Sequence, residues 1–168
     1  MSDPGTRRAS DGGAPYARDR EEGPAIWFLG TLMTFKATAA ETGGAFGLIE
    51  QVLPPGFAPP PHVHHAEDEA FYLLEGEGIF FCGDRTWRAR PGTFVYFPRG
   101  IVHGFRIEGA TPARLLQLTA PAGLEQMFVE AGEPAPALTL PPAGPPRVEK
   151  LLALAPKYRF AFAGPEES

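Results

Sequence analysis

The sequence holds a single cysteine, four histidines, no block of basic residues and no long apolar run. One cysteine, Cys82, cannot form an internal disulfide, and its phenylalanine-rich surroundings predict a small buried side chain. No apolar run approaches the roughly 20 residues of a membrane-spanning helix, so we expect no membrane association. The 15 lysines and arginines are fewer than the 20 aspartates and glutamates. They are also scattered along the chain, which excludes the concentrated basic surface that nucleic acid binding requires.

The first 24 residues are polar, charged and rich in glycine and proline. Such a segment buries too little apolar surface to offset the entropy lost on ordering, so we expect residues 1–24 to be a disordered tail. The segment also lacks the apolar core of a signal peptide, so we expect a cytoplasmic location.

Residues 25–121 alternate between short β-prone runs and turn signals, which predicts one all-β domain. The connections are too short for crossover helices, so the strands are expected to pair antiparallel in a closed barrel or a sandwich. The predicted strands are Ala25–Leu29, Thr31–Thr38, Ala45–Leu53, His62–His65, Ala70–Leu74, Gly78–Cys82, Thr86–Ala89, Thr93–Phe97, Val102–Ile107 and Ala113–Thr119.

Residues 122–168 change to a helical period and predict two helices with an extended, proline-rich connector between them. Apolar stripes at helical spacing mark the two helices: Leu124, Met127, Phe128 and Ala131 in one, Val148, Leu151, Leu152 and Ala155 in the other. Pro156 is expected to end the second helix. We expect both helices to pack against the outside of the barrel.

Three of the four histidines and one carboxylate lie at spacings that allow them to bind one metal ion: His62, His64, Glu69 and His103. Residues two apart on a strand point to the same face, so His62 and His64 share a face and His65 points away. The donor set suits a divalent transition ion (Fe, Ni, Co, Mn, Cu or Zn) and is too rich in nitrogen for calcium. We predict one such ion per chain. Glu69 has two candidate roles, as metal ligand and as the catalytic base that accepts a substrate proton.

Apolar side chains are expected to share the faces that carry these donors. Phe71 and Leu73 follow Glu69 on one strand, and Phe105 and Ile107 follow His103 on another. They predict an apolar pocket for a small-molecule substrate, with ordinary barrel core as the alternative.

Charged residues near the donors have simpler expected roles. We expect Glu67 and Asp68 to lie in a solvated turn, with a hydrogen bond from one of them to a ligand imidazole as the alternative. Arg99 is expected at the pocket mouth as a solvated side chain, with attraction of an anionic substrate as the alternative.

The four candidate ligands lie within two motifs framed by glycine and proline. The first is Gly56-x5-His62-x-His64-x4-Glu69-x6-Gly76, and the second is Gly92-x5-Pro98-x-Gly100-x2-His103. Together they resemble the two signature motifs of the cupin superfamily. Ile107 stands where the family's second motif has an asparagine, which is not a metal ligand. The resemblance implies an antiparallel cupin β-barrel (a jelly roll, or double-stranded β-helix) with a short helical C-terminal appendage, and metal ligation by the same four residues.

A narrower resemblance concerns residues 62–77, HVHHAEDEAFYLLEGE, which are similar to small bacterial cupins of the quercetin 2,3-dioxygenase-like group. It implies a metal-dependent dioxygenase that acts on a flavonol-like or other aromatic or enolic small molecule, and a homodimer. Two alternatives stay open. One is a non-oxidative cyclase or isomerase of aromatic polyketide or keto substrates, and the other is a non-catalytic cupin that binds a metal or a small ligand.

Overall fold

Residues 13–145 and 147–163 are described by the computed structural model, and within them the chain forms twelve strands and three short helices. The strands are β1 (Ala25–Phe28), β2 (Thr31–Ala37), β3 (Gly47–Leu53), β4 (His62–His64), β5 (Asp68–Glu75), β6 (Glu77–Cys82), β7 (Arg85–Ala89), β8 (Phe94–Phe97), β9 (His103–Glu108), β10 (Ala113–Ala120), β11 (Glu133–Pro134) and β12 (Phe160–Phe162). The helices are α1 (Ala39–Thr42), α2 (Leu124–Ala131) and α3 (Glu149–Leu154). Each of the ten strands predicted from the sequence is present, with ends that agree within two residues.

The strands form two antiparallel sheets that face each other. One sheet has the order β11-β1-β2-β3-β10-β5-β8, and the other has the order β12-β4-β9-β6-β7. Burial alternates along the strands, as on β6 and β10, because successive side chains point to opposite faces. This arrangement confirms the predicted antiparallel all-β fold.

Two apolar clusters fill the space inside the sheets and beneath the helices. The first is built around Phe80, Phe97 and Leu115, and it includes Cys82, which is buried as predicted. The second lies under α2 and α3 and includes Phe35 and Met127. Full burial of one phenylalanine, leucine or methionine side chain stabilises the fold by roughly 1.5–3 kcal/mol relative to leaving it exposed.

A glycine is required at the turn that joins β5 to β6. Gly76 has a φ of +83°, in the left-handed region that disfavours residues with a side chain. A Cβ atom at this position would also lie 2.8 Å from Cβ of Ala113. The tight turn between the two strands explains this motif position.

The segment that precedes β1 is held against the barrel over its described part. Lys36 on β2 donates hydrogen bonds of 2.6–2.9 Å from its ammonium group to three backbone carbonyls of this segment, those of Asp19, Arg20 and Glu22. Polar contacts therefore hold residues 13–24, which have little apolar surface, and the disordered tail stays a prediction from composition. Residues 1–12 lie outside the described residues.

The C-terminal region contains both predicted helices but is more closely integrated with the barrel than expected. Leu152, expected in the apolar stripe of α3, is 52% exposed, whereas Leu151 is buried. After α3 the chain returns to the five-stranded sheet, where β12 pairs antiparallel with β4. This strand was not predicted from the sequence. It matters because its partner strand carries two of the candidate metal ligands.

Candidate metal centre

The four candidate ligands come from both sheets and meet between them. His62 and His64 lie on β4, His103 lies opposite His62 on β9, and Glu69 lies on β5 of the facing sheet. One ligand atom from each side chain can be chosen so that all four lie within 4.8 Å of one another. The predicted convergence is therefore present, and the group could hold a metal ion.

Backbone carbonyls set the orientation of two of the imidazole rings. Nδ1 of His62 lies 2.8 Å from the carbonyl oxygen of Pro60, and Nδ1 of His103 lies 2.9 Å from that of Ile101. A carbonyl oxygen can only accept, so each Nδ1 carries the proton and donates it. Each Nε2 is left with a lone pair for a metal ion, the arrangement commonly found in metal-ligating histidines.

One contact in the cluster calls for a cation. Nε2 of His103 lies 3.2 Å from Oε2 of Glu69, and both atoms are buried without a hydrogen-bond partner among the described residues. With its proton on Nδ1, His103 presents a lone pair to a carboxylate oxygen that can also only accept. Two buried acceptors in this position are costly unless a proton or a cation lies between them. A bound cation would satisfy both, so the donor set fits a metal ion.

The protonation states of the cluster also suit metal binding. Burial alone would raise the pKa of Glu69, but contact with His103 and the charges of His64 and His62 outweigh it and lower that pKa to about 2. Burial lowers the pKa of His64 to about 4, and it lowers the pKa of His62 as well. At neutral pH the site therefore holds an ionised carboxylate and unprotonated lone pairs on these two imidazoles, as ligation requires.

Two buried glutamines form a second layer that the sequence analysis missed. The amide of Gln117 on β10 donates to Oε1 of Glu69, and the amide of Gln51 on β3 donates to the side-chain oxygen of Gln117. Both glutamines are 3% exposed. The signal that could have revealed them is a polar residue at an inward position of an otherwise apolar strand, such as Gln51 between Ile49 and Leu53.

A cavity of about 70 Å³ adjoins the cluster and is lined mainly by apolar side chains. Phe71 and Phe105 line it, together with Gln51, Gln117 and the donors His62, His64 and Glu69. Leu73 and Ile107 do not line it. They are buried in the first apolar cluster, which matches the alternative of ordinary barrel core, and the role of all four residues in substrate binding stays a prediction. Strand parity gives the face of a side chain but not its depth in the barrel.

The C-terminal region covers this cavity. Met127 and Phe128 of α2, Leu151 of α3, and Phe160 and Phe162 of β12 all line it. The Phe160 ring lies 5.4 Å from the His62 ring and 5.3 Å from the His64 ring, measured between centroids. The candidate metal centre is therefore shielded by residues that follow the barrel in sequence.

Neighbouring charged residues depart in part from the sequence expectations. His65 is exposed and points away from the cluster, as strand parity predicts. Glu67 is buried rather than solvated, and burial raises its pKa to about 7. Arg99 forms a 2.9 Å ion pair with Asp68, so its guanidinium is engaged within the chain and is not a free cation at the pocket mouth.

Comparison with known proteins places these observations in a family. Residues 49–119 match the Cupin domain family model, a span that contains all four candidate ligands. The chain is 27% identical over 124 residues to quercetin 2,3-dioxygenase of Bacillus subtilis (strain 168), with coverage of 74% of this chain and 36% of that protein. It is 32% identical over 124 residues to germin-like protein 3-1 of Oryza sativa subsp. japonica, with coverage of 68% and 55%. The chain thus spans about a third to just over half of these two curated relatives.

Solved structures share the fold. A predicted oxalate decarboxylase from Thermotoga maritima matches with a TM-score of 0.56 at 23% identity, covering 64% of this chain and 99% of that one. An RmlC-like cupin from Shewanella frigidimarina NCIMB 400 matches with a TM-score of 0.53 at 15% identity, covering 66% and 97%. The chain belongs to the cupin superfamily, and its two sheets form the double-stranded β-helix of that superfamily.

No helix within the described ranges is both long and apolar enough to cross a membrane. The cytoplasmic location and the lack of nucleic acid binding stay predictions from the sequence.

Proposed function

We propose that this cupin is a metal-dependent dioxygenase that acts on a compact enolic or phenolic small molecule. The observation that carries the proposal is the position of the four donors, which meet between the sheets beside an aromatic-lined cavity. The 27% identity to a quercetin 2,3-dioxygenase supports the reaction class.

A divalent transition ion, when bound by His62, His64, Glu69 and His103, supplies a Lewis acid for a substrate oxygen. Glu69 is ionised at neutral pH because its pKa is lowered to about 2. Its Oε2 has no hydrogen-bond partner among the described residues, so that oxygen is available to the ion. Glu69 would serve as base as well if the same oxygen accepts the proton of a substrate hydroxyl, since Oε1 is held by Gln117.

The walls of the cavity suit a flat apolar substrate. Phe71, Phe105 and Phe160 present aromatic surface to it. Apart from the donors, its polar lining side chains within the described residues are Gln51 and Gln117. A substrate with one or two oxygen atoms at one end and an apolar body matches this lining.

The size of the cavity limits the substrate. Its volume of about 70 Å³ is far below the roughly 300–1,000 Å³ typical of pockets for drug-sized ligands. A compact enol or phenol matches this volume better than a three-ring flavonol. A flavonol requires displacement of the C-terminal residues that cover the cavity.

Two other functions are favoured by particular observations. An oxygen-independent isomerase or cyclase would use the same ion to polarise a carbonyl and the ionised Glu69 to move a proton. A non-catalytic binding protein is favoured by the cover that α2, α3 and β12 form over the cavity.

The test is oxygen consumption by the metal-loaded protein with a panel of compact enols, catechols and a flavonol. We expect oxygen uptake with a compact substrate and its loss in a Glu69→Gln variant, with the metal content of both proteins measured. Turnover that persists in an anaerobic chamber would replace the dioxygenase with an isomerase or cyclase. Ligand binding without turnover under either condition, at full metal content, would favour the binding protein.

A further inference from the structure

The two carboxylate oxygens of Glu69 differ in their hydrogen bonding. Oε1 accepts a hydrogen bond from the amide of Gln117. Oε2 has no hydrogen-bond partner among the described residues and faces Nε2 of His103 at 3.2 Å. One oxygen is therefore occupied by the protein, and the other is left for a cation.

The topology explains why Gln117 can reach Glu69. It lies on β10, which pairs with β5 on one side and with β3 on the other. Its position is thus between Glu69 on β5 and Gln51 on β3. The Gln51–Gln117 and Gln117–Glu69 hydrogen bonds join residues 66 and 48 positions apart in the sequence.

The charge of Glu69 sets the direction of this hydrogen-bond chain. A glutamine amide has a donor end and an acceptor end, and only the donor end can face an ionised carboxylate. The reverse orientation of Gln117 would place two buried acceptors against each other, at the cost of an unsatisfied group. With its donor end on Glu69, Gln117 presents its oxygen to Gln51, whose amide donates to it. Gln51 therefore stabilises the orientation in which Gln117 holds Oε1.

We propose that Gln117 is a positioning residue that leaves a single oxygen of Glu69, Oε2, to the metal ion. The inference rests on the metal site of the proposed function and is independent of the reaction. A carboxylate that ligates through one oxygen uses one coordination position instead of two, so one more position stays open for the substrate.

The test uses the full chain loaded with Co²⁺, whose visible absorption is weaker in sites of higher coordination number. We expect Gln117→Leu to free Oε1, so that Glu69 can ligate through both oxygens and the absorption falls. The affinity for Co²⁺ should also fall by about 10–100-fold, the usual effect of removing a residue that orients a ligand. Thr119→Val is the matched control, because Thr119 is buried on the same face of β10 and its side chain makes no hydrogen bond to Glu69 among the described residues.

A second variant keeps the inference testable if Gln117→Leu does not fold. Gln51→Leu removes the hydrogen bond that orients Gln117, and we expect the same spectral change at smaller amplitude. Variants of Gln117 and Gln51 whose spectra and Co²⁺ affinities match those of wild type and Thr119→Val would overturn the inference. Failure of the wild-type chain to bind Co²⁺ would instead overturn the metal site.

Discussion

Replacing Phe160 with alanine should enlarge the cavity and change which substrates enter it. Phe160 is 6% exposed, and its ring packs against the rings of His62, His64 and Phe162. Removing it takes away the cover closest to the candidate metal centre. We expect the variant to bind a flavonol more tightly than wild type does, and to favour larger substrates.

The stability cost can be worked from the packing of this residue. Replacement of a buried phenylalanine by alanine typically costs about 3–5 kcal/mol in the free energy of unfolding. Phe160 lies on a three-residue strand at the edge of its sheet, where the structure can relax into the space, so we expect about 3 kcal/mol. For a chain of this size, that loss lowers Tm by about 6–12 °C.

The assay has two parts, each with the same control. Thermal unfolding measures Tm, and titration of a flavonol into the Co²⁺-loaded protein measures binding without relying on turnover. Leu154→Ala is the control, because Leu154 packs against the same apolar cluster but does not line the cavity. It should lower Tm without tightening flavonol binding. A Phe160→Ala variant that loses stability but binds the flavonol no better than Leu154→Ala does would refute the argument that Phe160 limits substrate size.

Three further predictions address other parts of the molecule. The Tm of the metal-free protein should fall as pH falls from 6.5 toward about 4, because the pKa of His64 is about 6.5 in the unfolded chain but about 4 in the folded one. Over this range Glu69 in the folded chain keeps its charge, since its pKa is about 2. A Tm that does not change with pH would contradict this prediction. We expect a homodimer that buries the apolar outer face of the seven-stranded sheet, where Phe94 on the edge strand β8 is 63% exposed. Light scattering should then give a lower molecular mass for Phe94→Asp than for wild type. A wild-type protein that is a monomer would contradict this prediction. Lys36→Ala should release residues 13–24 and speed their cleavage by trypsin, and an unchanged cleavage rate would show that other contacts hold the segment.

The strands and the grouping of the candidate metal ligands were predictable because each follows from local sequence motifs. A strand period of two residues assigns His62 and His64 to one face, and glycines and prolines mark the ends of the strands. The same rule placed His65 on the opposite face, where it is exposed. The face to which a strand side chain points follows from the backbone geometry of the strand, so it can be predicted without knowing the neighbouring strands.

The second layer and the cover of the site depend on contacts between distant parts of the chain. Gln117 and Gln51 meet because β10 lies between β5 and β3, a neighbour relation that no local pattern specifies. The pairing of β12 with β4 joins residues that are nearly a hundred positions apart. For the same reason, strand parity placed Leu73 and Ile107 on the correct faces but could not show that they lie in the core, away from the cavity.

Composition does not reveal the polar contacts made by the segment before the first strand. The apolar content of residues 13–24 is low, and a prediction of disorder from composition considers only how much apolar surface a segment can bury. The segment is instead held by hydrogen bonds from Lys36 to its backbone carbonyls. Lys36 is largely buried on a neighbouring strand, so the composition of residues 13–24 alone could not show that it binds them.

Metal analysis of the purified wild-type chain and of two histidine variants tests the central claim most directly. We predict one divalent transition ion per chain in wild type, and the loss of most of it in His103→Ala, because this change removes a buried ligand. His65→Ala is the matched control, since His65 is exposed, lies next to His64 in sequence and should retain the full metal content. A folded His103→Ala variant with the same metal content as wild type and His65→Ala would contradict the assignment of this metal centre.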